Sequence, residues 1–263
     1  MGAVVHCDYD GLDALDINEA ILSHNMVEVF GSEVGGKPYC SVSGAIIGRE
    51  DVRVDFHGAI IKPTGDFPVV EMRSGFSIQN AVVQTNGVEG YEGPAIAFAG
   101  EFVATRPTNI QDVTVLGSLE GVGVALIGDK DTSTRKITHV YMKGLHIHNY
   151  AVGLLLRDVN PLDNMDYINA NFYQGRIIGS LRAIELEHAN GNDITIDWQP
   201  GQSSLSGLRC FACTHNRING MFWDAHIAAE KALQLDADSR RNRVWTPLVS
   251  PYIQDDGTEN VIQ

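Results

Sequence analysis

Long apolar runs are missing from this chain. No stretch approaches the roughly 20 apolar residues that a membrane helix needs, and the opening MGAVVHCDYDGLDALD has neither the basic nor the apolar region of a secretory signal. We therefore expect no membrane insertion and no signal-directed export. If the protein acts outside a cell, we expect it to leave by another route, such as release in a virus particle.

Basic charge is also scarce. The chain has 33 acidic residues against 19 lysines and arginines, for a net charge of −14, and only six of the basic residues are lysine. Nucleic acids are bound by basic patches, so a nucleic-acid partner is not expected. An acidic, lysine-poor surface keeps a protein soluble in concentrated salt. The composition therefore indicates a halophilic source, with an ordinary acidic protein as the alternative.

Metal-binding and nucleophile motifs are absent as well. Cys210 and Cys213 have C-x-x-C spacing without a partner motif, and Cys7 and Cys40 lie far away in the sequence, so small core side chains are a better interpretation than a zinc or redox site. There is no G-x-S-x-G, H-E-x-x-H or P-loop motif. We expect no metal and no cofactor.

What the chain does contain is a repeat of short strands. In a first ladder, two apolar residues flank one outward residue, and successive copies begin about 24 to 30 residues apart. Its members are Val70/Met72, Ile96/Phe98, Val124/Leu126, Leu154/Leu156, Ile184/Leu186, Leu208/Cys210 and Leu233/Leu235. Turns rich in Gly, Asn, Asp and Pro separate the strands. This period is typical of a β-solenoid.

A second ladder lies between the members of the first. Its clearest members are Phe56/Gly58/Ile60, Ile78/Asn80/Val82 and Ile218/Gly220/Phe222, and looser versions occur in IQDVTV (110–115), YMKGLHI (141–147), YQGRII (173–178), DITID (193–197) and NRVWTPLV (242–249). Both ladders alternate with period two, which buries one face of each strand. We expect about eight rungs and a rod core of roughly 40 Å.

The N-terminal segment predicts a cover for the first rung. Residues 11–26 form an amphipathic pattern in which Asp13 is the expected N-cap and Asp16 lies in the first turn. The expected apolar stripe consists of Leu12, Leu15, Ala20, Ile21 and Leu22. We therefore divide the chain into a segment with a capping helix, 1–36, and a parallel β-helix, 37–263.

The Asp-rich opening, the short helix and stretches such as DVRVDFHGAII and FSIQNAVVQTNG resemble the right-handed parallel β-helix superfamily. That superfamily includes pectate-lyase-like polysaccharide enzymes and viral tailspikes. The resemblance covers nearly the whole chain and implies an all-β, single-stranded right-handed parallel β-helix. It also implies a surface that handles long carbohydrate chains, often on a homotrimer of parallel rods. The motifs that match are packing motifs, so no catalytic residue is carried over.

The outward positions of the first ladder bring one acid pair together. Glu185 and Glu187 share one face of a strand, with Arg157 and Arg209 on the adjacent rungs and His188 directly after. Residues two apart on a strand lie about 6.5–7 Å apart, near the ~6.5–9.5 Å between the carboxyl groups of an inverting glycosidase. Glu185 and Glu187 are the candidate catalytic residues. The alternative is a solvated face of cross-strand Arg–Glu pairs.

Other polar pairs have weaker functional interpretations. Asp55/His57 and Asp224/His226 share D-x-H spacing, which suits a base with an orienting acid but also the wet face of a repeated strand. His146 and His148 share a face, but a metal site needs a third ligand. Asp163 and Asp166 form either an acid pair or a solvated turn.

Three tryptophans lie in the C-terminal half. Trp198, Trp223 and Trp245, together with Arg157, Arg209 and His188, are the candidates for carbohydrate contact or for a subunit interface. Burial in the core is the alternative for the indoles.

These observations favour a virion-surface protein: a tail spike, fibre or capsid decoration that binds host-surface polysaccharide and assembles as a homotrimer with other virion proteins. The alternative is a polysaccharide lyase or inverting glycoside hydrolase on the same β-helix. A cellular β-helix protein is a third interpretation.

Overall fold

Apolar alternation, β-branched residues and closely spaced turns favour short strands over helices, and strands dominate the fold. A computed structural model describes residues 2–102, 105–129, 136–159 and 168–263. Its strands are almost all parallel and stack into two long sheets, an arrangement compatible with a parallel β-solenoid. No helix in this described part of the chain is long and apolar enough to cross a membrane.

Within the described residues, sheet B has nine strands in sequential order. They are Ile46–Ile47, Val70–Met72, Pro94–Phe98, Val122–Gly128, Val152–Asp158, Arg182–Glu187, Ser206–Phe211, Leu233–Leu235 and Ile253–Asp255. The first predicted ladder is confirmed here in register, because Val70 pairs with Ile96, Ile96 with Val124, and the series continues through to Leu233. Regular alternation fixed this register, since a one-residue slip would expose every core side chain.

Sheet A, over the same described ranges, has sixteen strands in two columns. The longer column consists of Ala3–His6, Met26–Phe30, Arg53–Asp55, Ser77–Gln79, Thr108–Gln111, Val140–His148, Phe172–Ile178, Asp193–Gln199, Arg217–Phe222, Arg243–Trp245 and Val261–Ile262. The shorter column consists of Ser32–Val34, Lys37–Val42, Ile60–Pro63, Val82–Gln84 and Thr114–Leu116. Both columns meet in Val140–His148, which pairs with 108–111 through its first half and with 114–116 through its second. Ile137–Thr138 and Ile168–Asn169 form a separate parallel pair.

The second ladder is confirmed only in part. Its strands lie in sheet A, but Ile60 and Val82 are half-buried on the outward face, and the buried residues beside them are Ile61 and Val83. Phe222 is in register with Val83, through Val115, Ile147, Ile177 and Trp198.

The first member of the ladder is shifted as well. Ile78 pairs with Val54 rather than with Phe56, whereas Ile60 does pair with Val82. Two extra residues in the turn between 55 and 60 cause the shift, and His57 and Gly58 there have positive φ angles. Phe56 is still fully buried, so it fills the turn instead of a strand position.

Inward side chains from both sheets form one hydrophobic cluster that extends from Val5 to Val244. Burying this apolar surface is the main stabilising contribution to the fold. Each rung contacts mainly the rungs before and after it, so the outward faces of the two sheets are left for other roles.

One corner of the rungs changes its chemistry along the rod. The corner position lies two residues before the inward residue of each long-column strand. Early rungs place Val52, Phe76, Thr108 and Val140 there, and later rungs place Asn171, Asn192, Asn216, Asn242 and Asn260 there. All of these residues except Asn260, which is half-buried, are buried.

The five asparagines form a hydrogen-bonded ladder. Each side-chain Nδ2 donates to the Oδ1 of the next asparagine at 3.1 Å, in all four steps from Asn171 to Asn260. Each Oδ1 also accepts the backbone N–H of the preceding corner residue, beginning with Val140. Buried amides need such partners, since an unpaired one costs about 1–3 kcal/mol.

The helix covers Asp13–Ser23, which is shorter than predicted, and its N-cap is Leu12 without a side-chain cap. The expected N-cap, Asp13, is instead buried, and its carboxylate accepts the N–H groups of Asp8 and Ser41. Burial raises the pKa of the Asp13 carboxyl above its ordinary value. The buried stripe is Ala14, Ile17 and Ile21.

The predicted stripe is therefore wrong for three leucines. Leu12, Leu15 and Leu22 are exposed. The helix instead contacts strands at the N-terminal end of both sheets. Asn18 pairs with the outer edge of the first sheet B strand, because its side chain accepts from Ile47 N and donates to Ala45 O.

The cysteines are buried, as predicted, but they are not free. Cys7 is bonded to Cys40 and Cys210 to Cys213. The sequence distance between Cys7 and Cys40 concealed the first bond, because only the fold brings the first strand beside Lys37–Val42. The structure thus replaces four free core thiols with two disulfides.

Candidate functional site

The outward face of sheet A carries a polar groove. This groove A has a volume of about 600 Å³. It is lined by Asp112, Lys143, Gly144, His146, Gln174, Gly175, Arg176, Thr195, Ile196, Asp197, Asn219 and Met221. Four successive rungs supply its floor, because Lys143 pairs with Gln174, Gln174 with Thr195, and Thr195 with Asn219. The groove therefore follows the rod axis for about 14 Å, given ~4.8 Å per rung.

Glycine and a bulge make this part of sheet A concave. Gly144 has a φ of 65°, and the register shifts between Lys143 and Leu145. A Cβ at Gly144 would overlap the carboxylate of Asp112, and one at Gly175 would overlap the carbonyl oxygen of Leu145. Such close backbone approach requires glycine. The two glycines and the bulge thus create the depression in the sheet that forms groove A.

The walls of groove A consist of polar side chains, and contacts among these side chains hold some of them in place. Arg176 lies 3.2 Å from the Asp197 carboxylate and donates to the side chain of Gln199 at 3.0 Å. Asp197 also accepts the indole N–H of Trp223 at 2.5 Å. Lys143 and His146 are exposed on the neighbouring strand, where His146 is the direct cross-strand neighbour of Arg176. Hydroxyl-rich ligands suit a surface that offers donors and acceptors in fixed positions.

His148 lies at the rim of the same face. Burial lowers the pKa of the His148 imidazole below its ordinary value, and the positive charges of His146 and Arg176 lower it further. His146 and His148 share a face as predicted. Among the residues that the structure describes, no third ligand joins them in a metal-binding group.

The three tryptophans have different environments. Trp223 and Trp245 are exposed, at 50% and 41%, on the outward face of sheet A. Trp245 pairs with Asn219, and Trp223 follows Asn219 by four residues, just past the end of the strand, so the two backbone positions lie about 13 Å apart along the strand direction. Both remain candidates for contact with a ligand or a partner.

Trp198, by contrast, is fully buried against Phe222 in a T-shaped arrangement with ring centroids 5.8 Å apart. Its selection as a surface residue was wrong. It pairs with Ile177 and Phe222 at an inward position, so the strand alternation that was used for sheet B would have identified it as a core residue.

Glu185 and Glu187 do share the outward face of sheet B, but arginines engage both. Arg157 pairs directly with Glu187 and lies 4.0 Å from Glu185, and Arg182 lies 4.0 Å from the other oxygen of Glu185. The side chain of Glu185 is only 13% exposed. The arrangement matches the cross-strand Arg–Glu alternative, and the general-acid role stays a prediction.

Arg209 and His188 lie beside this pair. Arg209 is the cross-strand neighbour of Glu185, and its guanidinium lies 4.6 Å from the ring centroid of Phe211. His188 has a φ of 52° and ends the strand, where its N–H donates to Phe211 O. Arg209 also lines a second groove, on the outward face of sheet B.

Neither D-x-H motif lies within a strand, which corrects the expectation that each shares a strand face: Asp55 ends a strand and His57 follows in the turn, whereas Asp224 lies in a turn and His226 in a 3-10 helix. His57 and Asp224 both have positive φ angles. Partial burial raises the pKa of the Asp55 carboxyl, but hydrogen bonds from the Asn80 side chain, the His57 N–H and the Gln79 side chain outweigh it and hold the pKa below its ordinary value. His57 stacks on Phe30, with ring centroids 4.4 Å apart.

Asp224 and His226 make no comparable contacts with the described parts of the chain. Asp224 precedes the short 3-10 helix Ala225–Ile227 and makes no side-chain cap. Asp163 and Asp166 lie outside the described residues.

Most residues of groove A were missed at the level of sequence. Lys143, Gln174, Arg176, Asp197 and Asn219 occupy outward strand positions between inward apolar residues. The same alternation that singled out Glu185 would have found them if it had been applied to the second ladder. The concavity had no signal in the alternation pattern, because it depends on a bulge that forms only when the strands pair.

Comparisons with known proteins add no relative. No protein-family model matches the chain, and no curated protein matches it. The function is therefore inferred from the fold and the geometry of the site.

Proposed function

We propose that this protein is a non-enzymatic carbohydrate-binding β-helix that holds a polysaccharide along groove A. The observation that carries the proposal is a polar, axially running groove of about 600 Å³ with the exposed indole of Trp223 at its side. Sugar rings stack on exposed aromatic faces while their hydroxyl groups exchange hydrogen bonds with polar side chains. Groove A offers both within one surface.

The proposal includes the finer architecture. The coil is right-handed, of the pectate-lyase-like type, with about eight rungs, and helix Asp13–Ser23 caps its N-terminal end. The contacts of Asn18 with the first strand of sheet B support the capping role, because an uncovered strand edge is prone to pair with other chains.

The proposed setting is the surface of a virus of a halophilic host, where a homotrimer would bind host glycan beside other virion proteins. Two disulfides support an oxidising location outside the cell. The acidic, lysine-poor composition supports a salt-rich medium. A measurement of the molecular mass in solution at high and low salt tests both the homotrimeric state and the halophilic source. A stable monomer at low salt would count against both.

Binding to a panel of host-surface and reference polysaccharides tests the central proposal. Trp223→Ala should weaken binding roughly tenfold or more, or about 1.4 kcal/mol, while Trp223→Phe should retain part of it. Leu22→Ala, which removes an exposed apolar side chain on the helix, is the matched control. Equal affinity of the Trp223→Ala and wild-type proteins would exclude groove A as the site.

The enzyme alternative rests on the shared face of Glu185 and Glu187. If the protein shortens a polysaccharide, and Glu185→Gln abolishes the cleavage without lowering the melting temperature, the binding-only proposal fails. Persistent binding without any shortening across the panel would count against the enzyme.

A further inference from the structure

A second groove, on the outward face of sheet B, has a chemistry different from that of groove A. This groove B has a volume of about 550 Å³. Its floor is a column of three paired residues on successive rungs, Arg209, Gln234 and Gln254. The segments 225–226, 228–231 and 251–252 also line it.

Arg209 differs from the other arginines of sheet B. Arg73 is paired with Glu71, Arg157 with Glu187, and Arg182 with Glu185. The Nε atoms of all four arginines lack a hydrogen-bond partner, but within the part of the chain that the structure describes Arg209 alone of the four forms no ion pair. Its neighbour Glu185 is already approached by Arg157 and Arg182. The guanidinium is therefore left without an acceptor in a protein of net charge −14.

The Phe211 ring holds this cation in place. Arg209 and Phe211 are two residues apart on one strand face, and the guanidinium carbon lies 4.6 Å from the ring centroid. Stacking restricts the long side chain before any ligand binds, and the planar N–H fork of arginine matches the geometry of carboxylate, sulfate and phosphate oxygens. Less entropy is then lost when the fork binds.

Other groups of groove B fit an anion attached to a ring. Lys231 is exposed, and its ammonium group contacts the backbone oxygen of Pro251 at 2.6 Å but no carboxylate within the described chain. His226 and the half-buried ring of Tyr252 also line the groove. The acid that lines it, Glu230, accepts a hydrogen bond from Gln234 at 3.1 Å.

We propose that groove B is a second ligand site, separate from groove A, in which Arg209 and Lys231 bind an oxyanion group. The guanidinium supplies two parallel hydrogen bonds, the ammonium group a further charge, and Tyr252 a face for the ring that bears the anion. This site does not depend on glycan binding in groove A.

Titration at constant ionic strength tests the proposal with three probes: inorganic sulfate, glucuronate and neutral glucose. The readout is the set of arginine Nε–Hε resonances in NMR spectra. Sulfate or glucuronate should shift one arginine resonance saturably, and that resonance should be missing in Arg209→Gln. Tighter binding of glucuronate than of sulfate identifies a ring-borne carboxylate, and the reverse identifies an isolated oxyanion.

Matched variants separate this site from general charge effects and from groove A. Arg209→Gln should weaken oxyanion binding roughly tenfold or more. Arg73→Gln removes the same charge from a paired arginine on the same sheet and should leave binding unchanged, as should Trp223→Ala in groove A. If Arg209→Gln binds like the wild type, or Arg73→Gln loses as much affinity as Arg209→Gln, the proposal is overturned. Melting temperatures of all variants confirm that each is folded.

Discussion

The early and late rungs fill the same corner of the coil in different ways. Early rungs place apolar side chains or threonine there, with Phe76 packed closely over Gly48, where a Cβ would overlap the ring. Late rungs place asparagines that bond to one another and to the backbone. A buried corner therefore needs either good packing or complete hydrogen bonding, and each solution depends on matching neighbours.

Strand Val140–His148 joins the two regions. Val140 is the last apolar corner residue, and its N–H donates to Oδ1 of Asn171, the first residue of the ladder. The ladder can therefore begin without an asparagine below it, because a backbone N–H supplies the first donor.

The largest effect is expected from placing an asparagine in the apolar region. Phe76→Asn should destabilise the protein by about 4 kcal/mol, since it leaves a cavity and buries an amide beside Val52 and Thr108, which form no ladder. Denaturant unfolding measures the loss. Phe76→Leu is the control and should cost less than half as much. If Phe76→Asn were neutral, the two corner chemistries would be interchangeable.

Removing an asparagine from the middle of the ladder should lower the free energy of unfolding slightly less than Phe76→Asn does. Asn216 accepts from Asn192 N at 2.9 Å and donates to Ala189 O at 3.0 Å and to Asn242. Asn216→Leu should lower the free energy of unfolding by about 3 kcal/mol, because buried donors and acceptors lose their partners.

The control for this change is Asn219→Ala, on the same strand but exposed, which should stay within about 0.5 kcal/mol of the wild type. A similar loss in both variants would show that the ladder adds nothing beyond strand pairing.

The smallest effect is expected in Val140–His148, the strand that joins the two regions. The pKa of His148 lies below its ordinary value, so the unfolded chain takes up the proton first as the pH falls below about 6.5. The stability that His148 contributes in its neutral form is thus fully present above that pH, and this contribution is lost as the pH falls towards the folded-state pKa. His148→Gln should reduce this acid sensitivity by at most about 2 °C in Tm, because solvent screens the partly exposed group.

Melting curves at pH 7.5 and 5.5 measure this difference. His226→Gln, which alters an exposed histidine in the turn after Phe222, is the control. If His148→Gln melts with the same pH dependence as the wild type, His148 does not contribute to it.

Regular alternation made sheet B predictable, from Val70 through to Leu233. The prediction was less accurate where spacing changed, since the longer turn after Asp55 displaced Phe56 from the register. Helix periodicity alone selected Leu15 and Leu22, but the strands beneath the helix contact the face of Ala14, Ile17 and Ile21. The Asn ladder had a sequence signal: asparagine recurs two residues before an inward apolar residue on five successive rungs, which becomes visible only once the register is known.

Composition and alternation by themselves determined that this chain forms stacked parallel strands with an acidic surface, because apolar burial with period two allows few other arrangements. The tertiary structure decided which polar residues meet. It paired Cys7 with Cys40, buried Trp198, formed groove A over Gly144 and Gly175, and left Arg209 without an acid partner among the residues that the structure describes. These outcomes depend on residues 20 to 30 positions apart becoming neighbours, and on turns and bulges whose geometry only the assembled sheets fix.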